Sequence, residues 1–299
     1  MSIIEVKHLT KKYDQHLAVN DISFSVEEGE LFALLGENGA GKSTTIHILC
    51  TILEKSQGDV CICGYLLGRE DDQIRKNIGI VFQNSVLDPK LTVQENLMTR
   101  GSFYGMKKVE IQRRLAEFET YFEMRSLWKK PYGTLSGGQK RRVDICRSLI
   151  HDPRILFLDE PTTGLDPKNR KLVWEYIHFL RKEKKMTIFL TTHYMEETSH
   201  ADHVVILDQG KIMCQDTPSR LKDRFAPAHF LWYTQPSHEA EIIVSKMGDP
   251  QYEQDHYVVN IQGNITAFLY AYRHQIVDYE IIKGSMDDVF LNCTGHSLE

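Results

Sequence analysis

The stretch "GENGAGKST", residues 36–44, decides most of what this chain can fold into. It meets the spacing G-x-x-x-x-G-K-S in full, at Gly36, Gly41, Lys42 and Ser43. An apolar run, "LFALLG", precedes it, and a run with helical patterning, "KSTTIHILCTIL", follows. A strand that turns through glycines into a helix can aim successive backbone N–H groups at one point. The helix N-terminus adds partial positive charge at that point. Such a turn is a cradle for phosphate oxygens, with Glu37, Asn38, Gly39 and Ala40 as its body. Lys42 is placed to reach terminal phosphates, Ser43 to hold Mg²⁺, and Thr44 to add a further phosphate contact.

A second stretch, "RILFLDEP", supplies a matching half-site. An apolar strand ends in Asp159, which puts a carboxylate near the magnesium. Glu160 follows directly and is the natural general base for an attacking water. Paired acids after a strand are weak evidence alone, since acids often follow strands at turns. Beside the lysine loop they are strong.

Along the chain, 1–35 reads as several strands, with a turn at Glu28 and Gly29. A further strand pair follows the glycine loop, "GDVCICGYLL" and "IGIVFQ", and 92–129 reads as helical, in the two stretches "TVQENLMTRGSFYGM" and "KKVEIQRRLAEFETYFEM". Next come a second glycine turn, "LSGGQ", and a helix, "QKRRVDICRSLI". Strands and helices then alternate to a hairpin, "VVILDQGKIMC". That alternation predicts an α/β fold with a largely parallel sheet. Beyond "RFAPAHF" the order strand, helix, strand, helix, strand and short helix describes a small α+β module.

Composition excludes several classes. A formal net charge of -5 argues against a general nucleic-acid binder. No apolar run approaches the roughly 18 residues of a membrane span. The start, "MSIIEVKHLT", lacks the regions of a secretion signal, so a cytosolic chain is expected. The six cysteines form no Cys-x-x-Cys pair and read as small hydrophobes. Glu197, His200 and His203 could share a helical face and hold a metal, but an ordinary polar helix surface is the simpler reading.

With these motifs in order, the chain resembles the ATP-binding cassette (ABC) ATPases over about residues 1–220. Leu135, Ser136, Gly137, Gly138 and Gln139 spell that family's signature sequence. Gln83 in "IVFQ" matches its glutamine loop, Asp166 in "GLD" its D-loop, and His193 in "LTTH" its switch histidine. Tyr13 in "KKYD" matches the aromatic that stacks on adenine. The resemblance implies a P-loop NTPase cassette at residues 1–223: a mostly parallel core sheet, an antiparallel β subdomain and a helical subdomain at about 92–145. Residues 224–299 would form the accessory module.

The resemblance also implies the working assembly. Two cassettes pack head to tail, and each ATP lies between the loop at Lys42 of one and the Ser136–Gln139 turn of the other. Asp166 organises the partner's site. Mg²⁺ is held by Ser43, Gln83 and Asp159, Gln83 reaching it from a flexible loop. His193 orients water and base. No Asn-Lys-x-Asp motif of the guanine-binding type is present, and stacking on Tyr13 is tolerant of the base, so ATP follows from the resemblance.

A transporter subunit paired with a separate membrane permease is favoured over a soluble ABC ATPase acting on ribosomes or DNA. One cassette is present rather than two, and no sustained heptads separate the glycine loop from the signature. The ending "GSMDDVFLNCTG" resembles drug-resistance exporter ATPases of the daunorubicin type, with Met286 and Cys293 standing where leucines are usual. The expected place is the cytoplasmic face of the membrane. Lipid, polysaccharide, peptide, antibiotic and sodium cargo all stay open.

Overall fold

The computed structural model describes residues 2–261 and 263–295. It divides into two compact units, Met1–Gln215 and Asp216–Glu299.

The first unit is built on a six-stranded sheet. The strand order is Lys211–Asp216, His203–Asp208, Leu31–Leu35, Thr187–Thr192, Ile155–Asp159, Ile78–Val81. The last five run parallel. Every residue of Leu31–Leu35, Ile155–Asp159 and Thr187–Thr192 is buried, which explains their near-continuous apolar sequences. In open parallel sheets ligands bind outside the carboxyl ends of the strands. Three neighbouring strands here end at Leu35, Asp159 and Thr192, so the glycine loop, Glu160 and His193 emerge at one edge.

A second, antiparallel sheet joins His16–Glu27, Ser2–Tyr13, Gln57–Ile62 and Tyr65–Leu66. Phe24 of this sheet stacks on Phe32 of the first at 5.2 Å, and Phe32 stacks on Phe189 at 5.0 Å. Such pairs add about 0.5–1.5 kcal/mol each beyond their buried area and tie the sheets together. The strand pair expected after the glycine loop is split between the sheets. Gln57–Ile62 pairs with Ser2–Tyr13, whereas Ile78–Val81 pairs with Ile155–Asp159. A short helix, Asp71–Asn77, intervenes; its acids in the first turn and bases in the last suit the helix dipole.

The helical segment is two helices, Val93–Phe103 and Lys108–Phe122, one within each of the two stretches read from the sequence. Gly105, at φ 72°, turns the chain between them. Thr92 and Glu95 close a reciprocal capping box that fixes the start of the first.

The second unit holds a four-stranded antiparallel sheet in the order Gln251–Glu253, His256–Asn260, His229–Tyr233, Tyr279–Ile282. Its core gathers Phe230, Trp232, Val244, Tyr257, Val259 and Phe268 from three of the unit's elements and the helix Ile265–Ala271. The strand Gln251–Glu253 has no apolar alternation and is exposed throughout, so nothing in the sequence marked it. This compact unit takes in Asp216 and the helix Pro218–Phe225 as well as residues 224–295. The helix Pro218–Phe225 packs with Met286–Thr294, and Asn292 donates its side-chain N–H to Phe225 O at 2.8 Å. Val289 and Phe290 of that closing helix are buried. Among the described residues no helix is long and apolar enough to cross a membrane.

Candidate nucleotide site

The glycine loop turns into the helix Lys42–Leu49 through Gly41, at φ 103°. A Cβ at Gly41 would meet Ala18 O at 2.5 Å, so both the left-handed backbone and the close approach require glycine. Lys42 is buried, and its Nζ donates to Gly36 O at 2.7 Å and Glu37 O at 2.9 Å. Its ammonium therefore lies across the loop it belongs to. Burial lowers the Lys42 pKa, against the opposing pull of Glu160 and Asp159. The Ala40 carbonyl accepts from Gly210 N at 3.1 Å, which braces the loop from behind. A cleft of about 240 Å³ opens here, lined by Tyr13, His16, Ala18, Asn38, Gly39, Gly41, Lys42, Ser43, Thr44 and Glu160.

Glu160 is the hub. It is buried, in a left-handed backbone conformation at φ 45°. Such a conformation costs a non-glycine residue free energy and persists where surroundings over-determine it. Glu160 N donates to both Thr191 O and Thr191 Oγ1, at 3.2 and 3.1 Å. Its carboxylate Oε1 lies 3.7 Å from Lys42 Nζ. Its Oε2 accepts from Gln83 Nε2 and from Thr163 Oγ1, each at 3.2 Å. His193 Nδ1 lies 3.3 Å from the same oxygen but out of line for a hydrogen bond. Thr191 Oγ1 donates to Asp159 Oδ1 at 2.7 Å, and His47 Nε2 stands 3.8 Å from Asp159 Oδ2. Ser43, Gln83 and Asp159 offer a hydroxyl, an amide oxygen and a carboxylate. That hard oxygen set fits Mg²⁺.

The backbone at Gln83 is bonded by side chains from another element. Arg141 donates to Phe82 O at 2.6 Å and to Gln83 O at 3.3 Å, and Arg147 donates to Ile80 O. Ser85 Oγ donates to Asp144 at 2.7 Å. All three charged residues are buried on the helix Gly137–Ser148. Burial raises the Asp144 pKa, while Ser85, Arg147 and Arg141 restrain it. The Gln83 side chain in turn reaches Glu160 Oε2.

The second glycine turn stands apart from the cleft. Ser136 caps the helix Gly137–Ser148, its Oγ accepting from Gln139 N while Gln139 Oε1 accepts from Ser136 N at 3.1 Å. Because the oxygen accepts there, its O–H proton can point outward. Asp166 likewise caps the helix Pro167–Lys184, accepting from Asn169 N and Nδ2 at 3.0 and 2.5 Å. Those bonds lower the Asp166 pKa. A Cβ at Gly138 would fall 1.8 Å from Asn169 Oδ1. Signature turn and D-loop thus share one surface, and neither lines the cleft.

The histidine metal reading does not hold. Glu197 is bonded within the chain, and His203 stacks on Phe32 at 5.6 Å. Among the described residues no cluster of three or more acids, histidines or cysteines could hold a metal. Sequence reasoning missed Thr163, Thr191, Arg141, Asp144 and Arg147. The double threonine before His193, polar residues closing a buried strand, was the one legible signal.

Fold and site together define an ATP-hydrolysing cassette, and the comparisons agree. A family profile described as ABC transporter matches residues 19–163. The linearmycin resistance ATP-binding protein of Bacillus subtilis is 33% identical over 99% of both chains. A Nod factor export ATP-binding protein of Ralstonia nicotianae is 39% identical over 73% of this chain and 68% of its own. A dimeric ATP-binding cassette solved in a post-hydrolysis state with ADP and Pi superposes with a TM-score of 0.65 at 28% identity. That match covers 72% of this chain and 98% of the other. The chain belongs to the ABC transporter ATP-binding proteins.

Proposed function

We propose that this chain is the energy-supplying subunit of an exporter. It works as a pair of cassettes bound to a separate membrane permease, on the cytoplasmic face of the membrane. The observation that carries the reading is the separation of two anion-binding turns on one chain. Lys42 and Glu160 face one cleft, while Ser136 and Asp166 share a different, exposed surface. A second cassette, turned head to tail, would bring its Ser136 turn to the phosphates held at Lys42. The names of the relatives, resistance and export proteins, support the direction of transport.

In hydrolysis, Lys42 exchanges its carbonyl bonds for phosphate oxygens and stabilises the charge that develops there. Glu160 Oε2 takes the proton of the attacking water, with Gln83 and Thr163 fixing the carboxylate. His193, beside the same oxygen, orients the water. Mg²⁺, held by Ser43, Gln83 and Asp159, would neutralise charge on the phosphates. Tyr13, 43% exposed at the cleft mouth, offers its ring face to the base. Where the helical segment meets the core, a cleft of about 820 Å³ lined by Tyr104, Met106 and Phe118 on one side and Arg154, Phe179 and Lys184 on the other is a candidate surface for the permease.

The test is purification from native membranes in mild detergent. Recovery with a polytopic chain is the expected result. A protein found wholly outside the membrane fraction, never with such a partner, would end the transporter reading.

A further inference from the structure

The hydrolytic site is braced from behind by a carboxylate that its motifs do not include. Glu197, in the short helix Met195–Thr198, is buried. Its Oε1 accepts from Thr162 Oγ1 and, at 3.4 Å, from Trp174 Nε1. Its Oε2 accepts from Thr192 Oγ1 at 2.7 Å. Each of these three partners is neutral. A buried carboxylate bonded by neutral groups is an expensive way to fill space, and an aliphatic side chain would do that at lower cost.

The two threonines explain the arrangement. Thr162 immediately precedes Thr163, whose hydroxyl donates to Glu160 Oε2 at 3.2 Å. Thr192 immediately precedes His193, whose Nδ1 lies 3.3 Å from that same oxygen. Both threonines are about 1% exposed, at the ends of segments that come from different strands. Thr192 Oγ1 also accepts from Tyr194 N at 2.9 Å, so its hydroxyl is fixed as donor and as acceptor across the turn that carries His193. Side chains alternate along a strand. Thr191 accordingly serves Asp159 and Glu160 on one side, while Thr192 serves Glu197 on the other.

We propose that Glu197 is a positioning residue for ATP hydrolysis, one carboxylate that holds in register the two segments whose next residues converge on Glu160. It touches neither the nucleotide cleft nor Glu160 itself. The inference rests on the reading of Glu160 and His193 as the groups that act on water. A displacement of about 1 Å in such groups can cost roughly 10²-fold in rate.

The experiment measures kcat and KM for ATP, together with the melting temperature, on full-length variants. Glu197→Ala should lower kcat by about 10- to 100-fold. KM should change little, because the Lys42 loop is untouched. Glu197→Gln should recover most of the rate, since its carbonyl can still accept and its amide can donate to a threonine oxygen. Thr192→Val should reproduce the loss, and Thr192→Ser should not. Trp174→Phe removes a bond to the same carboxylate without loosening either segment, so it should lower the melting temperature with a smaller loss of kcat than Thr192→Val. Native kcat in folded Glu197→Ala overturns the proposal. So does a kcat that merely follows melting temperature across the whole set. Should Glu197→Ala fail to fold, the threonine pair decides. Glu160→Gln is the control for the underlying reading. If it hydrolyses ATP at the native rate, the assignment of the base fails; if it is inactive while Thr192→Val is native, only the positioning role fails.

Discussion

Replacing Glu160 by glutamine separates binding from chemistry. The amide keeps the volume of a buried side chain and loses its basicity. General-base catalysis is worth about 10²–10⁴-fold, or about 2.7–5.4 kcal/mol of barrier, and hydrolysis should fall by that factor. Breaking a buried ion pair typically costs about 3–5 kcal/mol of stability. Here the loss should sit at or below the low end, because Lys42 keeps Gly36 O and Glu37 O and still feels Asp159. Gln83 need only rotate its amide to present oxygen to the new N–H. ATP affinity should survive, and the paired cassettes should stay closed around unhydrolysed ATP. The assays are phosphate release, equilibrium ATP binding, and size-exclusion chromatography with ATP and Mg²⁺, with permease present if isolated cassettes pair weakly. Two comparators sharpen the result. Lys42→Ala should lose ATP binding, and Ser136→Arg should bind ATP yet not pair, since Ser136 is exposed outside the cleft. Hydrolysis by Glu160→Gln at the native rate would refute the reasoning, as would a stable ATP dimer from Ser136→Arg.

Two further outcomes are expected. Tyr13→Ala should weaken ATP binding by about 1–3 kcal/mol, the range of base–aromatic stacking, while Tyr13→Phe should be nearly silent in the same titration; equal damage from both would point to the hydroxyl instead. Burial holds the His151 imidazole down at about 4, with Nε2 at 2.9 Å from Ile78 O and Nδ1 buried without a partner. The folded state therefore binds fewer protons than the unfolded one between pH 4 and the usual 6.5. Stability from this residue is complete above pH 6.5 and about 3 kcal/mol of it is lost as pH falls toward 4. Melting curves of His151→Phe, which keeps a ring against Tyr104, should show a shallower decline over that window.

Much of the fold was legible because its signals are local. A five-residue apolar run, a glycine turn and a capped helix need no distant partner to be recognised, and the strands ending at Leu35 and Asp159 lie where their sequences place them. The residues that the structure gathers around Glu160, namely Lys42, Gln83 and His193, could be picked out for the same reason. What stayed hidden depends on contacts far apart in sequence. Arg141, Asp144 and Arg147 look like an ordinary solvated helix face, and only the fold shows them buried against 80–85. Glu197 sits in an acidic "MEET" that reads as surface. Ile78–Val81 joined the central sheet rather than its neighbour in sequence because three of its four residues needed cover.

The guanidinium anchors of Arg141 and Arg147 make the chain from Ile80 to Gln83 and the helix beginning after Ser136 one mechanical piece. Releasing either anchor would strand a buried cation, so thermal motion does not readily uncouple them. A displacement of the helix would therefore carry the backbone that leads into Gln83 with it, and a shift of that backbone would pull on the helix that Ser136 caps, two distant pieces of sequence moving as one lever.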